Sequence, residues 1–195
     1  MSLFEQQRVH IGKFILDTAV KMFREKGYEN TTIDSITKEV GIAKGTFYNF
    51  YSSKQQILMK WAKKRFSQLD MSIAFHKDRS MEDNLFALAE FLANAIKDEE
   101  KLFSYFIKEV AKDYVYYANS KDFDFIGIFS NVVGSSKDYD EIVKTNVKVK
   151  IDVLNSSMFM GIVNWFNSKS HIDGLEGYLK EIIRVCLYGI KNGGV

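Results

Sequence analysis

The sequence predicts an all-α protein, with a three-helix helix-turn-helix head joined to a larger helical body. Three observations carry that expectation. None of the 195 residues is proline, where an average chain of this length holds about ten. Proline breaks helix interiors and marks turns, so its absence suits a mostly helical chain. Apolar residues recur at helical spacing along most of the sequence. Charge is uneven: residues 1–65 carry 12 Lys and Arg against 6 Asp and Glu, and residues 66–195 carry 15 against 19. A basic end on an acidic body suits a head that meets a polyanion.

The first helix is expected over about Phe4 to Lys26. Ile11, Ile15, Ala19 and Met22 share one face, which Phe14 and Phe23 widen. Gly27 stands where a glycine ends a helix. Thr31 and Thr32 offer N-cap hydroxyls to a short helix, Ile33 to Val40, which Gly41 closes. A third short helix is expected over about Lys44 to Phe50. Ser53 opens a fourth, because Ser53-Lys54-Gln55-Gln56 reads as a capping box. Two short helices joined by a tight glycine turn and braced by a longer one make a helix-turn-helix unit. The fourth helix carries Leu58, Ala62, Phe66, Leu69 and Ile73 on one face and is expected to extend toward His76.

The body continues in the same style. Ser80 to Asp83 starts a helix with Leu85, Leu88, Leu92 and Ile96 inward. Glu99 to Tyr117 places Leu102, Phe106, Val110 and Tyr114 in register, and Lys121 to Val133 is interrupted by Gly127. Gly134-Ser135-Ser136 reads as a loop. Asp138 to Asn167 is expected as one helix with two apolar rows. One holds Val143, Val147, Ile151, Leu154, Met158 and Trp165, and the other Ile142, Val149, Val153, Met160 and Val163. Leu175 to Lys191 also has two: Leu175, Tyr178, Ile182 and Val185, then Leu179, Ile183, Cys186 and Ile190. A helix apolar on two sides needs two partners. One is the core of its own chain. The other is a second copy, or further helices of the same chain, two-fold dimers being the commonest assembly.

Several function classes find no support. The polar N-terminus does not read as a signal peptide, and no run of about 18 apolar residues predicts a membrane span. Cys186 is the only cysteine, so no intramolecular disulfide forms, which suits a cytoplasmic location. His10, His76 and His171 are scattered, so no metal or cofactor is expected. No paired nucleophile and base and no phosphate-binding glycine loop point to an enzyme. A helical small-molecule carrier or a protein-interaction module remains the alternative to a DNA-binding protein.

One stretch of about 50 positions is more specific. Ile15-Leu16-Asp17-Thr18-Ala19, Phe23 to Tyr28, Thr31-Thr32-Ile33, Ile36, Val40-Gly41-Ile42, Lys44 to Tyr51, Ser53-Lys54 and Leu58 together resemble the DNA-binding head of the TetR family of bacterial transcriptional regulators. The resemblance implies a head over residues 1–52 and a helical ligand-binding and dimerisation body over 53–195. It further implies a homodimer through the C-terminal helices, which binds a pseudo-palindromic double-stranded DNA operator and is released by a small-molecule inducer. Most members repress and some activate.

Within the head, Thr31, Thr32 and Lys44 are placed to add donors at the starts of the second and third helices, where free backbone N–H groups favour phosphate. Tyr48 and Lys54 match family positions that commonly contact phosphates. Thr46, Phe47 and Asn49 are the candidates for base edges, since Asn pairs with adenine and Thr or Phe touches a thymine methyl. Phe47 is equally suited to packing, whereas Phe50 and Tyr51 read as packing. Gly45, inside a short helix, costs about 1 kcal/mol relative to alanine. That cost fits a close approach, either by DNA or by the second helix. Ala43 stands where the family often has a capping serine, and Ser52 where it often has a basic residue. Lys60, Lys63, Lys64 and Arg65 read as a solvated face that attracts polyanions at long range.

In the body the expected ligand is hydrophobic or amphipathic. Its expected lining is Phe91, Phe103, Phe106, Phe129, Met158 and Trp165, with Tyr105 and Asn164 as polar handles. Glu109 is the carboxylate available to a cationic ligand, and is otherwise expected to be exposed.

Overall fold

The computed structural model describes residues 2–68, 76–113, 125–142, 146–168 and 174–189. Every regular element among them is a helix: α1 Leu3–Lys26, α2 Ile33–Val40, α3 Lys44–Tyr48, α4 Lys54–Ser67, α5 Met81–Lys97, α6 Glu100–Lys112, α7 Phe125–Gly134, α8 Tyr139–Ile142, α9 Val147–Ser168 and α10 Gly174–Tyr188. None of them is long and apolar enough to cross a membrane.

The chain divides into two units, Met1–Gln68 with Glu100–Glu109, and Leu69–Glu99 with Val110–Val195. Helix α4 lies in the first unit together with α1, α2 and α3. Ten residues of α6 join the same unit.

The first unit is built on capped helices. Ser2 caps α1 in a reciprocal box with Glu5. Thr32 caps α2, accepting from the Ser35 N–H at 3.1 Å while the Ser35 hydroxyl accepts from the Thr32 N–H at 3.1 Å. Serine thus fills the place where a box usually has Glu or Gln. Gly41 then ends α2 in the left-handed conformation (φ 77°) that glycine adopts without strain. Ser53 caps α4 as the sequence predicts, but the box is not reciprocal. The Gln56 side chain reaches one residue further back and accepts from the Ser52 N–H at 2.7 Å.

The core of this unit combines Ile15, Leu16, Ala19, Val20 and Phe23 of α1 with Ile36, Phe47 and Tyr51 and with Ile57, Leu58, Trp61 and Ala62 of α4. Phe103 of α6 meets Trp61 edge-on at 5.2 Å and Phe66 at 5.8 Å. Phe106 meets Phe66 at 5.9 Å.

The second unit packs α5, α7, α9 and α10 around Leu85, Leu88, Phe129, Val132, Leu154, Met158, Leu179 and Ile183. Asn84 is fully buried there. Its carboxamide accepts from the His76 N–H at 3.0 Å, and donates to the His76 carbonyl at 3.1 Å and to Ser136 Oγ at 3.2 Å. Burying such a group requires these partners. A Cβ on Gly161 would stand 2.2 Å from the Ile182 side chain, so α9 and α10 lie in close contact there.

Some expectations are corrected. The helix expected over 138–167 is two helices, because Asn146 is not helical and its side chain accepts from the Val149 N–H at the start of α9. Helix α7 runs through Gly127. The two apolar rows of α9 also differ in part: Leu154 and Met158 of the first are buried, whereas Val149, Val153 and Met160 of the second stay about half exposed and only Val163 of that row is buried among the described residues. Leu69, Ile73, Tyr114, Val143 and Ile190, which were placed in rows, lie outside the described residues.

Candidate nucleic-acid interface

Helix α3 has five residues, too few to stand alone. Its first residue follows Ala43, which makes no side-chain cap bond, as the sequence predicts. Phe47 holds the helix in place. The ring is fully buried and lies 5.7 Å from Tyr48 and 6.1 Å from Tyr51. Its N–H donates to the Ala43 carbonyl at 3.2 Å, and its own carbonyl accepts from the Phe50 and Tyr51 N–H groups. This settles the open assignment at Phe47: the ring is core, and it is withdrawn as a base-edge contact. Phe50 packs against Gly12, and the Tyr51 hydroxyl donates to the Gly12 carbonyl at 2.8 Å. Burial raises the Tyr51 pKa, and Asp17 adds to the shift.

Of the other residues of α3 and of Asn49, which caps it, all but the half-buried Thr46 are exposed: Lys44, Gly45, Tyr48 and Asn49. A Cβ added to Gly45 would meet nothing within 4 Å. Packing against α2 therefore does not explain this glycine.

Around α2, Thr32 is exposed and Thr31 is not. The Thr31 hydroxyl is buried and donates to the Gly27 carbonyl at 2.8 Å, so Thr31 is corrected from an interface donor to a loop brace. The two lysines also differ. Lys44 Nζ stands 2.7 Å from Asp34 Oδ1, both side chains more than half exposed. The hydrogen bond to Asp34, with its charge, raises the Lys44 pKa. Such a surface pair gives way at small cost. Lys54 is more enclosed. Its ammonium donates to the Tyr28 carbonyl at 2.8 Å and lies 4.3 Å from the Tyr28 ring centroid. Sequence spacing gave no sign of Asp34 or Tyr28 as partners, since each lies ten or more residues from its lysine.

A groove of about 650 Å³ flanks α1 and α4, lined by Val9, Leu16 and Phe50 together with Arg8, Lys13, Lys60 and Lys64. Lys60, expected on a solvated face, lies 5.2 Å from the Tyr51 ring centroid.

The residues expected around a ligand fall into two sets. Phe103 and Phe106 are buried in the aromatic cluster of the first unit, and the Tyr105 ring lies 5.6 Å from that of Tyr28. Phe129 and Met158 are buried in the core of the second unit. Phe91 and Trp165, also of the second unit, are half-buried and Asn164 is exposed. Glu109, expected to be exposed, is buried.

A family model described as bacterial regulatory proteins, tetR family, matches residues 15–59. The negative transcriptional regulator IcaR of the biofilm operon icaADBC from Staphylococcus epidermidis is 35% identical over 88 residues, which cover 45% of this chain and 46% of that protein. The Staphylococcus aureus IcaR is 30% identical over 133 residues, covering 68% and 65%. The chain thus spans from about half to just under two thirds of the length of these relatives. Thermus thermophilus FadR, a repressor solved in complex with lauroyl-CoA, superposes with a TM-score of 0.73 at 20% identity, covering 92% of this chain and 94% of that one. Bacillus subtilis FadR with stearoyl-CoA gives 0.56 at 15% identity, covering 91% and 98%.

Proposed function

We propose that this chain, which belongs to the TetR family of bacterial regulatory proteins, is a transcriptional repressor that binds a pseudo-palindromic operator as a homodimer. A hydrophobic or amphipathic small molecule releases it. The observation that carries this reading is the outer face of α3, where a Cβ added to Gly45 would meet nothing beyond its own helix within 4 Å. Thr46, Tyr48 and Asn49 stand beside it without being needed for the core. Thr32 supports the same face. Its oxygen accepts the α2 cap bond, and its proton is left to donate outward.

In this reading Lys44 leaves Asp34 for a phosphate, Tyr48 donates its hydroxyl to a phosphate, and Thr46 and Asn49 read base edges. The half-exposed Val149, Val153 and Met160 on α9 supply the second partner that an apolar surface calls for, a second copy of the chain. Repression is supported by the regulators named negative among the relatives. For the inducer, the first probe is a long-chain acyl thioester, because two solved proteins of this fold are described with one bound.

Footprinting on DNA beside the gene tests the proposal. The expected result is a protected palindrome whose affinity falls steeply with salt, since neutralised phosphates release counterions. Equal binding to all sequences would overturn it.

A further inference from the structure

We infer that Lys54 and Tyr105 are positioning residues, Lys54 pinning the loop between α1 and α2 to the start of α4 and Tyr105 backing that pin. The inference rests on the DNA-binding reading above, and it removes Lys54 from the phosphate contacts and Tyr105 from the ligand lining.

An ammonium has three protons to donate. Lys54 Nζ has three backbone carbonyls to receive them, those of Tyr28 at 2.8 Å, Thr31 at 3.4 Å and Glu29 at 3.5 Å. The Tyr28 ring lies 4.3 Å away and the Glu29 carboxylate 3.8 Å away. One cation thus gathers the whole turn that leads into Thr32, the cap of α2. Reaching a phosphate would uncover all of these groups at once. Lys44 offers the contrast, with one exposed carboxylate as its partner.

The Tyr28 ring is fixed from three directions. Phe23 meets it edge-on at 5.0 Å, Lys54 lies over it, and the Tyr105 ring lies at 5.6 Å. Tyr105 can come this close because residue 27 is glycine: a Cβ there would stand 3.2 Å from the Tyr105 hydroxyl. One turn earlier on the same helix, Lys101 donates to the Arg24 carbonyl at 2.9 Å, holding the last turn of α1.

The experiment is DNA affinity against salt for the full chain, with Lys54→Met, Tyr28→Leu and their double variant. A pin predicts that each single variant weakens binding about tenfold, that the double is no weaker than the worse single, and that the salt slope is unchanged. A lost phosphate contact lowers the slope by about 0.9 and adds to the Tyr28 effect, and either result overturns the inference. Lys54→Arg serves if Lys54→Met fails to fold. A planar guanidinium keeps a phosphate contact but does not fit three converging carbonyls, so wild-type affinity in that variant also overturns it. Tyr105→Leu is expected to weaken binding several-fold at constant slope, with Tyr105→Phe near wild type. If the chain binds no DNA, the operator reading fails by itself. The pin is then read from a double-mutant cycle of Lys54 and Tyr28 in urea unfolding, where zero coupling would overturn it.

Discussion

The head and the body are built from the same kind of helix but owe their form to different information. In the head, chemistry at the ends of helices sets the structure. Thr32 and Ser53 open their helices where the sequence places them, Gly41 closes α2, and α2 begins and ends at the residues expected. In the body side-chain caps also occur, Ser80 on α5 and Asn146 on α9, but the structure depends on which apolar rows meet. Leu85, Met158, Leu179 and Ile183 share one core although nothing local ties them together. A cap acts within four residues and can be read directly. A core contact joins positions far apart, and the sequence records only that each side is apolar.

The sharpest way to break this contrast is to remove a long-range anchor from the head. Phe47 is that anchor, so Phe47→Ala should lower stability by about 3–5 kcal/mol and abolish operator binding, as read by urea unfolding and footprinting. The converse is a polar anchor in the body. Asn84→Ala leaves the His76 and Ser136 groups without their buried partner, and should lower stability by about 1–3 kcal/mol with operator contacts at α3 unchanged. If Asn84→Ala proved neutral, the body would depend on its apolar rows alone.

A third variant separates surface from core within α3. Tyr48→Ala should weaken binding to all sequences about tenfold, as the loss of a charged hydrogen bond does. Stability should stay within about 0.5 kcal/mol, because the ring is half exposed. Asn49→Ala should instead change preference at particular bases.

The smallest effect is expected at Asp34. Asp34→Asn frees Lys44 and removes a negative charge beside the expected phosphates, so affinity should rise about two- to fivefold. Linkage gives a second test. The Lys44 pKa is raised in the folded state by Asp34, so the pair stabilises the head below the ordinary lysine value of 10.5. That contribution is lost as pH rises through the raised value. Stability of the wild type and of Asp34→Asn should converge there.

Much of the head was legible from residue order, including the missing cap at Ala43 and the packing role of Phe50 and Tyr51. What escaped were partners far along the chain, such as Tyr28 for Lys54 and Asp34 for Lys44, because no spacing rule links them. In the body the break at Asn146 escaped for a related reason. The apolar period runs on from Val143 to Val147 across it, so the pattern continues where the helix does not. The ligand lining is the part least legible in residue order. Aromatic residues serve a core and a pocket alike, and Phe103, Phe106, Phe129 and Met158 all proved buried among their own neighbours.

The arrangement of α3 has a further consequence. One side chain, Phe47, anchors the helix while Thr46, Tyr48 and Asn49 are left to the surface. In the proposed reading, stability and operator choice are therefore written on separate residues of the same short segment. A library randomised at Thr46 and Asn49 with Phe47 fixed should yield heads of near-constant stability and divergent site preference. New regulatory targets are then open to single substitutions that leave the fold intact.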